Sequence, residues 1–121
     1  MAFFDFLSRK PVAAVEYVHA VPVLARKFTT TGAVPKETYL FYAFLFEKSA
    51  ELAVVRLRKE LRDEGFEFLE IAGQTETVPL TGWSAFVAKR LDWIKDSLPT
   101  TEQLRDGARG IIYYSPKIVR A

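Results

Sequence analysis

The 121-residue chain has no cysteine. That excludes a disulfide framework, a thiol nucleophile and any cysteine-ligated zinc or iron–sulfur site. It has one histidine, His19, so a single chain cannot assemble a multi-histidine metal centre. Charge of one sign is also scarce. Seventeen basic residues stand against 15 acidic ones, and a net charge of +2 gives no strong electrostatic pull toward nucleic acid or an anionic membrane. No apolar run approaches the roughly 18 residues a membrane helix needs. There is no Walker-type loop, no G-x-G-x-x-G, no G-x-S-x-G elbow, no repeat at a solenoid period and no low-complexity tract.

What is present is folded-domain composition, 50% hydrophobic and 26% charged, at a length that suits one domain. The opening stretch, Met1 to Lys10, is apolar and then basic, the reverse order of a secretory signal. With no cysteine, it predicts a cytoplasmic protein without membrane attachment, in which Phe3, Phe4 and Leu7 cap the domain's own core. Residues 1–37 carry five basic and three acidic side chains and are punctuated by Pro11, Pro22, Gly32 and Pro35. They read as an irregular N-terminal extension packing on a domain at 38–121, which is electrically neutral.

Thr38 to Phe46 (TYLFYAFLF) reads as a strand that is apolar at both parities and therefore covered on both faces. Ser49 to Glu64 is the clearest helix, with Ser49 as N-cap, Glu51 in the first turn and Gly65 as terminator. Its apolar face is Ala50, Val54, Leu57 and Leu61. Phe66 to Ile71 reads as a second strand, Gly73 to Leu80 as a polar loop and Gly82 to Ala88 as a third strand. Arg90 to Leu98 reads as helical. A further helix starts at Thr100, spaced with Gln103 as a capping box, and runs to about Arg109. Ile111 to Tyr114 is a short fourth strand closed by Pro116. This order predicts an α+β domain, a ferredoxin-like βαββαβ sandwich with a four-stranded antiparallel sheet and both helices on one face. The other sheet face then needs cover, from the N-terminal extension together with a second copy of the chain as a homodimer.

Little here suggests bond chemistry. Glu16 lies three residues before His19, a spacing that brings the two together on a helix. Glu67 with Glu70, and Asp92 with Asp96, are near neighbours without the surroundings of an acid–base dyad, and the latter pair reads as a solvated edge held by Lys95. No catalytic residue, metal or cofactor is expected. Nucleic acid is the second reading, because a ferredoxin-like sheet is also the RNA-recognition architecture, which stacks bases on strand aromatics. Gly82 and Trp83 match the start of that motif, but Phe86 is one residue out of step, Ala85 stands where the stacking ring belongs, and Thr81 replaces the basic residue. A third reading is a dimeric domain holding a small apolar ligand.

From Tyr39 to about Ser115 the chain resembles the RraB-like regulators of ribonuclease E activity. The resemblance lies in the aromatic strand YLFYAFLF, the helix exit through Glu64-Gly65-Phe66, a tryptophan-bearing segment ending in Ala88-Lys89-Arg90-Leu91, and a last helix before a glycine and a tyrosine-containing strand. It implies a small non-enzymatic bacterial protein of ferredoxin-like fold that binds an endoribonuclease and inhibits or redirects it. For such a protein partner, the candidate contact residues are Tyr39, Tyr42, Trp83 and Phe86 at the sheet, and Arg56, Lys59 and Arg62 on the first helix, since aromatics and arginine are the usual interface anchors.

Overall fold

A computed structural model of the chain describes residues 16–27, 37–107 and 110–120. In order, the elements are β1 (Tyr17–Lys27), β2 (Thr38–Phe46), α1 (Ala50–Asp63), β3 (Phe66–Ile71), β4 (Glu76–Pro79), a 3-10 turn (Leu80–Gly82), α2 (Trp83–Arg90), a 3-10 segment (Asp92–Ser97), α3 (Thr101–Asp106), β5 (Tyr113–Tyr114) and β6 (Ile118–Arg120). The molecule is of the α+β class, with an open antiparallel sheet and helices.

The sheet has six strands rather than four. β1 and β2 lie side by side at its centre, from Val18 opposite Phe46 to Ala25 opposite Tyr39. β3 and β4 follow one another along the outer edge of β1. β5 and β6 do the same along the outer edge of β2. The strand expected first is therefore second, and the zone read as irregular contributes the longest strand at the middle of the sheet. The residue that masks this strand in the sequence is Pro22. A proline normally demotes a strand to an edge. Here its missing N–H faces the break between β3 and β4, where its own carbonyl accepts from Ala72 N at 2.8 Å. The opposite residue, Tyr42, turns both backbone groups the other way. Its N donates to Ser115 Oγ at 2.8 Å, and its carbonyl accepts from Ser115 N at 2.9 Å. Both edges of the sheet are interrupted beside this one pair. The cap expected from Phe3, Phe4 and Leu7 lies outside the described residues.

The segment expected as a third strand is helical instead. Leu80, Trp83, Val87 and Leu91 recur every three or four residues, so a helical turn gathers them on one side, whereas a strand would split Trp83 from Phe86. The capping box at Thr100 forms as expected, Gln103 N donating to Thr100 Oγ1 at 3.1 Å and Thr100 N to Gln103 Oε1 at 2.8 Å. α3 ends at Asp106, short of Arg109. Ser49 caps α1 by accepting from Leu52 N at 3.2 Å, and Gly65 leaves it with φ +91°, a left-handed conformation that favours glycine.

The helices cover opposite faces of the sheet, not one. On the first face, Val21, Val23 and Ala25 of β1 and Phe41, Ala43 and Leu45 of β2 pack under Ala53, Leu57 and Leu61 of α1. The buried stripe thus begins at Ala53 rather than Ala50. On the second face, Val18, Ala20, Phe44 and Phe46 pack against Trp83, Leu91, Leu98 and Leu104. The second face is covered, within the described residues, by the 80–104 segment. Each of these larger buried side chains is worth about 1.5–3 kcal/mol. Among the described residues, no helix is long and apolar enough to cross a membrane.

Candidate functional site

The seven residues expected to bind a partner do not form one surface. Trp83 is buried at 1% exposure, its Nε1 donating to Pro99 O at 2.7 Å and its ring edge-on to Phe44 at 5.1 Å. Phe86 is half-buried beside it, with ring centroids 5.8 Å apart. Neither belongs to an open sheet platform on which a base stacks. Tyr39 is on the α1 face, edge-on to Phe66 at 5.9 Å, while Tyr42 is on the opposite face, stacked on Phe44 at 5.9 Å.

Arg56 turns inward from α1. It donates to Phe46 O at 3.1 Å and to Gly110 O, and stands 3.7 Å from the Glu47 carboxylate, tying the end of β2 to the approach to β5. It is a clamp of the fold. Lys59 and Arg62 are exposed and line a shallow depression with Arg58, Phe66, Glu67 and Phe68. Opposite charge is present there too, since Glu67 pairs with Arg26 at 2.8 Å.

His19 is buried in β1, and the helical pairing expected with Glu16 does not occur, because residues three apart on a strand point to opposite faces. Its Nε2 donates to Glu47 O at 2.9 Å, and in the neutral ring Nδ1 accepts from Thr77 Oγ1 at 3.1 Å. The imidazole thereby joins the edge strand β4 to the β2–α1 loop, with both ring nitrogens engaged. Lys95 holds Asp92 at 3.6 Å, as the solvated-edge reading expects.

The surface that stands out was not among the candidates, apart from Tyr42. Trp93 is 66% exposed and Ile118 43% exposed. Between them is a small apolar hollow of about 120 Å³, lined also by Pro22, Leu40, Tyr42 and Pro116. It occurs where both sheet edges are interrupted, beside Pro22 and Tyr42. The sequence did carry a signal for Trp93. It sits in Arg90-Leu91-Asp92-Trp93-Ile94-Lys95-Asp96, an aromatic ring set among charges rather than in an apolar run.

Tyr114, at the other face, has an unusual electrostatic setting. Burial first, then the charges of Glu64 and Glu60 and the hydrogen bond to Glu64, push its phenol well above the ordinary tyrosine range, against a downward pull from Arg56. Its hydroxyl donates to Glu64 Oε2 at 3.5 Å. The unfolded chain releases this proton near pH ~10, whereas the folded chain retains it. The associated stability is therefore complete below that pH and is lost as pH rises above it. Urea unfolding between about pH 9 and about pH 11 should show a steeper alkaline loss of stability for the wild type than for Tyr114→Phe. Parallel losses would show that the phenol titrates normally.

Comparison with protein-family models, curated proteins and solved structures finds no match. The functional reading therefore rests on this chain's own residues and on the motifs quoted above.

Proposed function

We propose that this chain is a non-enzymatic, protein-binding regulator of a bacterial cytoplasmic RNA-processing enzyme, an endoribonuclease, and that it engages its partner through the hollow beside Trp93. One observation carries the choice of surface. An indole 66% exposed stands over an apolar hollow, whereas the chain's other tryptophan, Trp83, is packed into the core at 1% exposure. Tryptophan is the residue most enriched among interface hot spots, and such anchors work by pairing with a pocket. The partner class comes from the sequence resemblance to RraB-like regulators. Regulation would proceed by occluding or reshaping the partner, with no bond made or broken by this chain.

The test is capture from host lysate, with and without nuclease treatment, by the wild type and by Trp93→Ala. Trp93→Ala should leave thermal stability within about 0.5 kcal/mol, because the ring is exposed. It should weaken capture of the endoribonuclease by about 30-fold or more, the effect of losing a hot-spot side chain worth about 2 kcal/mol or more. Undiminished capture by Trp93→Ala would remove the hollow from the interface. Recovery of RNA, with every protein partner lost on digestion, would replace this reading with nucleic-acid binding.

A further inference from the structure

On the α1 face of the sheet, Phe41 from β2, Phe66 from β3 and Tyr114 from β5 converge although they come from three different strands. Phe41 meets Phe66 at an interplanar angle of 63° and Tyr114 at 69°, so the three rings are walls of a box rather than a stack. The ammonium of Lys117, from the link between β5 and β6, fills that box. Its Nζ is 5.0 Å from the Phe41 centroid, 5.1 Å from Tyr114 and 5.5 Å from Phe66. All three distances fall within the roughly 6 Å over which a cation is attracted by a ring face. The charges of Glu64 and Glu60, partly offset by Arg56, bear on the hydroxyl of Tyr114, one of the box's walls, and the C-terminal end of α1 adds its own negative partial charge.

We propose that this aromatic box is a binding site for an alkylammonium head, quaternary or N-methylated, and that Lys117 is a displaceable plug resident in it. A primary ammonium is a compact, strongly hydrated charge, which makes it a poor occupant of an aromatic box. A trimethylammonium group gives up less hydration and offers methyl groups to all three walls. Lys117 is an exposed residue and is held by no ion pair among the described residues, so it can swing out. The rings cannot, since Phe41 is 3% exposed and Phe66 9% exposed within the core under α1. The site is thus pre-formed and closed by a flexible side chain of its own.

The test is an NMR titration of the ring resonances of Phe41, Phe66 and Tyr114 with tetramethylammonium chloride, with sodium chloride as the ionic-strength control. Lys117→Ala should show saturable shifts at those rings, with an affinity about tenfold or more above the wild type, because an intramolecular competitor has been removed. Parallel titrations with choline and with N-acetyl trimethyl-lysine amide distinguish a free small amine from a modified side chain as the natural source. No saturable shift in folded Lys117→Ala, equal affinity in both proteins, or the same shifts with sodium chloride would each overturn the proposal. Should Lys117→Ala fail to fold, the wild type decides. The Lys117 ε-methylene protons should resonate upfield beneath the rings and return downfield as tetramethylammonium is added. A position unmoved by the titrant would equally overturn the proposal.

Discussion

Replacing Trp83 with alanine is expected to lower the stability of the protein by about 3–5 kcal/mol, the range for truncating a fully buried large aromatic. The residue is 1% exposed and touches both layers of the second core. Its ring is edge-on to Phe44 of the central strand, and its Nε1 proton goes to Pro99 O, across the bend that leads into α3. Alanine therefore removes packing on the sheet, leaves a cavity and strands a carbonyl acceptor at once. The elements it pins, from Leu80 to Asp106, are short, so the loss should be expressed locally as well as globally. Urea unfolding of Trp83→Ala checks the magnitude. Hydrogen exchange should rise in α2 and α3 before it rises in β1 and β2. A loss under about 1 kcal/mol, with exchange unchanged, would contradict the buried placement and restore the indole as a surface residue.

Leu57→Ala is the counterpart on the other face, with an expected loss of about 2–5 kcal/mol. Leu57 is at the middle of α1, fully buried, and packs into the layer formed by Val21, Val23, Phe41 and Ala43. Among the described residues, α1 has no second apolar layer above it. Leu52 and Val55, on its far side, are 47% and 64% exposed. The helix is thus held to the sheet by a single stripe, and its central leucine has little neighbouring material with which to refill the space. Leu52→Ala, on the same helix, should cost no more than about 0.5 kcal/mol beyond its propensity change. Chemical denaturation of the two variants separates them. Equal losses would mean that the helix is rotated from the orientation described here.

The elements that could be read in the sequence are those whose signals are local. Ser49, Gly65 and the stripe through Leu57 and Leu61 mark α1, and Thr100 with Gln103 marks the start of α3, because caps and helical periodicity are settled within a few residues. β2 and β3 were equally plain from their aromatic and β-branched runs. The sequence also indicated that β2 needed cover on both sides, since none of its positions was polar enough to face water. Among the described residues, the second cover comes from the 80–104 segment, not from the expected extension and second copy. Pro22 made Tyr17–Lys27 look irregular, although a proline is tolerated in a central strand if the neighbouring edge is broken opposite it, and that break involves Ala72, some 50 residues away in sequence. Gly82-Trp83-Ser84-Ala85-Phe86 reads as a strand by residue type, whereas the three- and four-residue spacing of Leu80, Trp83, Val87 and Leu91 is what the helix follows.

The candidate surfaces follow the same division. By itself the sequence determined what the molecule cannot use: no thiol chemistry, and no multi-histidine metal centre within one chain. It determined the α+β class and the need to bury a doubly apolar strand, because these depend on residue type and short-range spacing. Only the tertiary structure decided which aromatics are core and which are surface. Trp83 and Trp93 are ten residues apart and alike in chemistry, yet one is 1% exposed and the other 66% exposed, because within the same covering segment one ring packs into the core and the other does not. Only the tertiary structure, too, brought Phe41, Phe66, Tyr114 and Lys117 into one box. Side chains from separate strands meet through the pairing register, and register is a property of the assembled sheet, not of any one segment.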